Sequence, residues 1–456
     1  MTRKPWLLAL LSAALVWTIT ATPAVVHAVT TTAGVRSSSQ ARGPDRAMSA
    51  HWVDTWTAMP QLTEPGNMPP APFTGTSSVL VDATLRQTIH VTLGGRQVRI
   101  EFSNAFGGTD LPITKAIVAL PAGGQAGVSG LVPGSARALT FGGRSSITVP
   151  VGAQVVSDPV AMDVAPLTNL SVSMYLAQGQ ASTNITSHPG SRTTSYLLAG
   201  DHTTDSDLPG ATAVDHWYFI SAAEVAAPRR AAGVAILGDS LTDGRGSTTN
   251  GNDRWPDDLA ARLQEHPATR EVAVLNQAAG GNCVLHDPGQ GCLGPNAVGR
   301  LDRDVLSQPG RRWLIVFEGV NDIGTAAATP AAQQQVAQDL ITAYEQIITQ
   351  AHASGVRVYG ATITPFGGNS LYDDPQGLRQ QTREQVNRWI RTSGWFDAVL
   401  DFDRVVRDPA NPGQILPAYD SGDHLHLNPQ GYRALAASVP LRLFTNAADS
   451  FLSASS

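Results

Sequence analysis

Lysine is almost missing from this chain. Of 456 residues only Lys4 and Lys115 carry it, and cysteine occurs twice. Charge as a whole is scarce, at 15% against 42% hydrophobic residues, which excludes a disordered chain and leaves enough apolar side chains to bury real cores. The formal net charge is −6, and without Arg3 and Lys4 it is −8, with 29 basic residues against 37 acidic ones. That balance argues against a nucleic-acid or anionic-membrane partner. Two cysteines without matching ligands nearby do not complete a tetrahedral zinc shell. The apolar run Trp6–Ile19 is shorter than the ~20 residues a spanning helix needs, and Pro23 follows it closely, so a stable membrane anchor is not expected.

What is present at the start of the chain has the parts of a secretory signal. Arg3 and Lys4 form the positive end, Trp6–Ile19 the apolar run, and Val26-His27-Ala28 a small-residue cleavage site. The expectation is a signal peptide over 1–28, cleaved near Ala28, and an exported protein. Residues 29–50 are rich in Thr, Ser, Ala and Arg without periodicity and read as a disordered lead-in. In an oxidising compartment Cys283 and Cys292, separated by a loop with Pro288, Gly289 and Gly291, read as a disulfide.

A chain of this length is expected to hold two domains. Residues 51–225 read as all-β. Leu85, Ile89, Val91 and Leu93 fall on odd positions, Gly94-Gly95 turns the chain, and Val98, Ile100 and Phe102 continue on even ones, the pattern of a β-hairpin with one apolar face. Further short strand-like runs separated by Gly, Pro and Asp suggest a β-sandwich of jelly-roll type. Trp52, Trp56, Trp217 and Tyr218 are candidates for stacking on a sugar, although tryptophans in β-domains are more often core. Shaping one wall of a cleft is the plainer role for this domain.

The periodicity changes after Ala226-Ala-Pro-Arg-Arg-Ala-Ala232. Apolar runs at 234–237, 272–275, 313–317, 356–362 and 399–402 alternate with helical patterns. The clearest of these is the face formed by Val336, Leu340, Ile341, Tyr344, Ile347, Ile348 and Ala351. Others run over 255–263, 377–393 and 429–443. Five βα units with mostly apolar strands predict a parallel sheet covered by helices on both faces over residues 232–446, with a tail at 447–456.

Four marked blocks fall on this frame. Gly238-Asp-Ser240-Leu follows the first strand, Gly280-Gly281-Asn the second, and Gly319-Val-Asn321-Asp the third, while Asp423-His-Leu-His426 precedes the last helix. All would lie at the carboxyl ends of the strands, where open α/β sheets bind ligands. A serine hydroxyl needs a base to become a nucleophile, histidine suits that task, and an aspartate on the other ring nitrogen fixes the tautomer. Asp423 and His426 are three residues apart, close enough for one turn to join them. The N–H groups of Ser240 and Gly281 and the side-chain amide of Asn321 are three candidate donors for a developing oxyanion. Asp239 and Asp322 are expected to bond to loop backbone. His424 is the nearest rival to His426 and fits the spacing worse. Asp420, Asp423, His424 and His426 raise the question of a metal, but the dyad already accounts for two of them. Pro256 reads as the first residue of a helix and Trp255 as its packing anchor.

Together the four blocks, over residues 232–446 and in the same order, resemble the SGNH (GDSL) hydrolase family, and the β-domain ahead of them resembles that of exported bacterial two-domain members. The resemblance implies a flavodoxin-like three-layer α/β/α sandwich behind an all-β sandwich, and serine ester hydrolysis without metal or cofactor. It implies Ser240 as nucleophile, His426 as base, Asp423 as its orienting acid, and Ser240, Gly281 and Asn321 as the oxyanion hole. Gly281 is preferred over Gly280 because Asn282 follows it, as in many members. The expected partner is a small-molecule or polymeric ester. A broad esterase or lipase is one reading and a carbohydrate O-acetylesterase another. A non-catalytic carbohydrate-binding or adhesion protein is a third, and acyl transfer to an alcohol other than water stays open. Oligomeric state is not legible.

Overall fold

The computed structural model describes residues 51–289 and 291–445. The expected leader at 1–28, the lead-in at 29–50 and the tail at 447–456 lie outside the described residues.

Residues 51–227 form antiparallel strands. One sheet runs His51–Thr57, Ile220–Ala227, Gly95–Ser103 and Val160–Val164, with Gln154–Val156 also paired to Gly95–Ser103. The other runs Thr212–Val214, Ser195–Ala199, Ala83–Val91, Thr168–Leu176, Lys115–Ala119 and Arg137–Ala138. Alternation along each strand sends one set of side chains inward. Val98, Ile100, Phe102 and Val225 from the first sheet share a core with Leu85, Ile89, Leu170, Met174 and Leu197 from the second.

The hairpin expected across Gly94-Gly95 does not form. Ala83–Val91 pairs with Thr168–Leu176 and Ser195–Ala199, whereas Gly95–Ser103 lies in the other sheet. The alternation was a sound sign of two half-buried strands, but it does not say which strands pair. Neither glycine has the positive φ that a two-residue hairpin turn requires. They serve as a tight corner instead. A Cβ at Gly94 would lie 2.5 Å from the Val164 carbonyl oxygen, and one at Gly95 2.7 Å from Val225 Cβ.

From Ala232 the strands are parallel, in the spatial order Val272–Ala278, Ala232–Gly238, Arg311–Phe317, Arg357–Ala361, Ala398–Leu400. Except in the edge strand Ala398–Leu400, where Val399 is exposed, their apolar residues are buried on both faces, as the near-continuous hydrophobic runs require. The helices Trp255–Glu265 and Pro429–Ser438 pack together, and Pro330–Ala353 packs with Leu378–Thr392, giving two groups about the sheet. The last helix stops at Ser438 instead of continuing to Leu443, because Pro440 disfavours helix at Val439 and has no N–H to donate. Trp255 anchors its helix as expected. It is fully buried, its ring N–H donates to Thr242 Oγ1 at 3.1 Å, and Pro256 opens the first turn.

The β-region covers one edge of the parallel sheet. His51–Thr57 packs along Val272–Ala278, and side chains span the gap. Thr92 Oγ1 donates to Thr55 O at 2.8 Å and accepts the Val274 N–H at 3.0 Å. Thr57 Oγ1 donates to Asn276 O at 3.2 Å. An open strand edge is thereby satisfied without a full ladder. Thr92→Val keeps the shape but leaves the buried Val274 N–H unpaired. Urea unfolding is expected to show a loss of about 1–3 kcal/mol with an unchanged m-value.

Candidate active site

The order of the parallel strands reverses at Ala232–Gly238, which lies between the two strands that follow it in chain order, and the chain leaves it at the crevice this creates. Asp239 caps the short helix Ser240–Asp243, its side chain accepting the Leu241 N–H at 2.9 Å. Ser240 therefore begins a helix directly at the strand end. Gly238 makes this close turn feasible, since a Cβ there would lie 2.7 Å from Thr242 Oγ1.

The structure brings Ser240, His426 and Asp423 together. Ser240 Oγ lies 2.8 Å from His426 Nε2, and His426 Nδ1 lies 2.6 Å from Asp423 Oδ2. Asp423 Oδ1 also accepts the backbone N–H groups of Leu425 and His426 at 3.0 and 2.8 Å. Partial burial alone would push the Asp423 carboxyl up. The hydrogen bonds from His426 and Leu425 and the imidazole charge outweigh it and hold the group well below the usual carboxylate range. An ionised Asp423 fixes the proton of His426 on Nδ1, so Nε2 is free to accept from the serine. His424 points elsewhere: its ring is exposed and bonded to Asp420 at 2.6 Å.

The three candidate oxyanion donors converge on the same cleft. Gly280 N–H donates to Asp243 Oδ2 at 3.0 Å and is occupied. The N–H groups of Ser240 and Gly281 have no hydrogen-bond partner among the described residues. The choice of Gly281 over Gly280 thus has a physical basis that the sequence did not supply. Gly281 sits at φ +72°, and a Cβ there would press on Leu293 at 2.9 Å. The disulfide Cys283–Cys292 closes this loop, and the Gly281 carbonyl accepts the Leu293 N–H at 2.8 Å.

Asn321 is held at both ends of its amide. Its Nδ2 donates to Asn282 O at 2.7 Å and its Oδ1 accepts the Tyr372 hydroxyl at 2.6 Å. The orientation is thereby unambiguous, and one amide hydrogen remains for the cleft. Asn282 is itself clamped, donating to Leu293 O and Pro295 O and accepting from the buried Arg300. Asn369 links the two halves of the site. It donates to Asp423 O at 2.8 Å and accepts the Tyr372 N–H at 2.9 Å. Sequence reasoning missed Tyr372, Asn369, His188 and Asp243, because none stands in a spaced motif. Asp239 and Asp322 do bond to backbone, Asp322 accepting Val284 N–H and Leu285 N–H at 2.9 Å each.

The cleft has a volume of about 910 Å³ and is walled by both regions of the chain. Gln61, Glu64, Asn67, His188, Arg192, Asp215 and His216 come from the β-region; Arg245, Asn369, Ser370 and Tyr372 come from the α/β region. Leu293 and Leu371 stand exposed at its margin. The aromatic residues weighed as sugar platforms do not line it, and the core role favoured for tryptophans holds for two of them. Trp56, Trp217 and Tyr218 are buried, with Trp56 and Trp217 packed edge to face at 4.9 Å, and Trp52 is covered by the Arg99 guanidinium.

Two tests follow from this geometry. Asn321→Ala is expected to lower kcat on an ester by about 10²–10³, the usual loss for one oxyanion donor. Tyr372→Phe, which removes only the hydroxyl that orients Asn321, is expected to lower it by about tenfold with KM little changed. Steady-state kinetics of both variants measure this. Beneath the site Glu318 is fully buried, and burial raises its carboxyl to about 7, against the opposing pull of Arg300. The unfolded chain ionises this group near 4.5 while the folded chain retains the proton, so stability falls as pH rises from about 5 through 7. Glu318→Gln is expected to flatten that fall by about 1–3 kcal/mol, read from urea unfolding at pH 5 and pH 8.

Residues 236–434 match the GDSL-like lipase/acylhydrolase family. Among solved structures, a lipase/acylhydrolase from Enterococcus faecalis is 20% identical, covering 46% of this chain and 94% of its own, at a TM-score of 0.34. A carbohydrate acetylesterase from Sinorhizobium meliloti is 18% identical over 49% of this chain and 99% of its own, at 0.33. An acetylxylan esterase from Geobacillus stearothermophilus, solved as a catalytic mutant, is 16% identical over 45% and 91%, at 0.34. No curated protein matches. With the strand-end serine, its imidazole and the loop donors of one crevice all inside the matched span, residues 236–434 belong to the GDSL-like lipase/acylhydrolase family.

Proposed function

We propose that this chain is an exported serine ester hydrolase that removes short acyl groups, acetate foremost, from polar sugar-like alcohols. The observation that carries the choice of substrate is the lining of the cleft. Beside Ser240 the β-region presents Gln61, Glu64, Asn67, Arg192, Asp215 and His216, a wall of hydrogen-bonding groups suited to an alcohol bearing hydroxyls. The leader-like residues 1–28 and the Cys283–Cys292 disulfide support export. Of the readings the sequence left open, this favours carbohydrate deacetylation. The exposed Leu293 and Leu371 at the cleft margin favour the second reading, a broad esterase or lipase that takes longer acyl groups.

His426 Nε2 accepts the Ser240 proton as Oγ attacks the ester carbonyl. The carbonyl oxygen gains the negative charge and is met by the N–H groups of Ser240 and Gly281 and by the Asn321 amide. Imidazolium at His426, stabilised by Asp423, gives its proton to the departing alkoxide. A water then takes the place of the alcohol, loses its proton to His426, and attacks the acyl-serine. Collapse returns the proton to Ser240 and releases the acid.

Hydrolysis of p-nitrophenyl esters from acetate to palmitate, with acetylated xylan beside them, tests the proposal. Turnover is expected to be highest at acetate, to fall with each added pair of carbons, and to drop at least about 10³-fold in Ser240→Ala. Activity rising with chain length would support the lipase reading, and equal turnover in Ser240→Ala would overturn the nucleophile.

A further inference from the structure

A chain of hydrogen bonds starts in the β-region and ends beside the oxyanion donors. His188 closes the strand Thr186–His188 and is 3% exposed. Its Nδ1 lies 3.0 Å from the Met59 carbonyl oxygen and its Nε2 lies 2.9 Å from Asp243 Oδ1. The other oxygen of Asp243 accepts the Gly280 N–H at 3.0 Å. Asp243 is the last residue of the helix that Ser240 begins, and Gly280 immediately precedes Gly281. One buried carboxylate thus connects the nucleophile's helix, the loop that carries a candidate oxyanion donor, and the β-region.

The protons of this chain are determined by their partners. A carbonyl oxygen only accepts, so His188 Nδ1 carries hydrogen and donates to Met59. Nε2 then faces a carboxylate, and a proton lies between them. Burial alone would raise the Asp243 carboxyl, but the His188 charge and hydrogen bond, with Arg192 and Arg254 nearby, lower it overall. The fit is close on every side. The Trp217 ring lies 5.7 Å from the imidazole, centre to centre, at an interplanar angle of 32°. Two residues after His188, a Cβ at Gly190 would overlap the Asp243 carboxylate.

We propose that His188 is a positioning residue for ester cleavage: through Asp243 it fixes the Gly280-Gly281 backbone against the Ser240 helix and so sets the geometry of the oxyanion donors. The β-region is then part of the reaction framework as well as a wall of the cleft. This rests on the reading of Ser240, Gly281 and Asn321 given above. Oxyanion contacts are made in the transition state, so loosening them lowers kcat and leaves KM nearly unchanged.

The test uses the full chain and p-nitrophenyl acetate. His188→Ala is expected to lower kcat by about 10- to 100-fold with KM within about twofold. Affinity for a boronic acid that mimics the tetrahedral state should fall by a similar factor. His188→Gln, which still offers Asp243 an N–H, should recover a large part of both losses. If His188→Ala does not fold, His188→Gln carries the same comparison at smaller amplitude, and failure of both to fold would make the pair purely structural and overturn the proposal. Folded His188→Ala with unchanged kcat, or with a raised KM alone, would also overturn it. Ser240→Ala run alongside separates the two readings. Turnover surviving in that variant overturns the site assignment itself, whereas turnover lost there but intact in His188→Ala overturns only the role of His188.

Discussion

The 2.8 Å hydrogen bond between Ser240 Oγ and His426 Nε2 spans 186 residues of chain, and most of the α/β framework is a means of closing that distance. Ser240 is placed by the end of Ala232–Gly238, the strand flanked by both of its successors in the sheet. His426 is placed by the turn that feeds the last helix, whose cap Asn428 accepts the Gly431 N–H at 3.0 Å. That helix packs on Trp255–Glu265, which follows the serine helix in the chain. A displacement of an ångström at either end would remove the proton transfer path, so the catalytic bond depends on helix–helix packing some distance away.

How far this was legible in the sequence depends on the range of each interaction. Ser240, Asp423 and His426 stand in short blocks whose chemistry is local: a strand that stops, a carboxylate three residues before an imidazole. The parallel sheet was legible because apolar runs of four to seven residues alternate with a helical face such as Val336–Ala351. Pairing between strands was not. The alternation at 85–93 and 98–102 described two half-buried strands correctly, but their partners are about 50 to 130 residues away, and only the tertiary packing selects them. The supports of Asn321 and Asp243 were invisible for the same reason. Tyr372 and His188 are single polar residues in irregular or short segments, 51 and 55 residues from what they hold. A signal did exist in Ser187-His-Pro-Gly190, where a glycine two residues after a histidine leaves room for a neighbour, but it is too common to read alone.

The β-region changes meaning once its contacts are known. By sequence it was a separate sandwich whose plainer role was to shape one wall of a cleft, with a few aromatic residues weighed as sugar platforms. In the structure its tryptophans are mostly core, and its polar residues are what reach the cleft. The same region also satisfies the edge of the parallel sheet through Thr57 and Thr92. One surface thus serves two needs, sealing a strand edge and presenting hydrogen-bonding groups beside the serine. A wall of Gln, Asn, Arg and His offers little to an alkyl chain, whose burial gains about 0.8 kcal/mol per methylene only against apolar surface. That asymmetry is why the proposed substrate is polar on its alcohol side and short on its acyl side.

Acidic residues crowd a site where negative charge must develop, and their protonation decides whether it can function. Asp239, Glu318 and Asp322 are buried around the strand ends, and burial pushes all three carboxyls up, Glu318 to about 7 and Asp322 to about 6. Near neutral pH part of this charge is therefore absent, and Arg300 lies 3.6 Å from Glu318 to offset the rest. Asp243 and Asp423 differ because each faces an imidazole, which lowers it despite burial. Their charge is matched by a partner at 2.6–2.9 Å, so neither opposes the oxyanion as an isolated anion would. The two histidines nevertheless do different work. His426 must exchange its Nε2 proton with Ser240, and its Nε2 faces the cleft. His188 has both nitrogens held by acceptors and nothing to exchange with, which leaves it only a role in holding geometry.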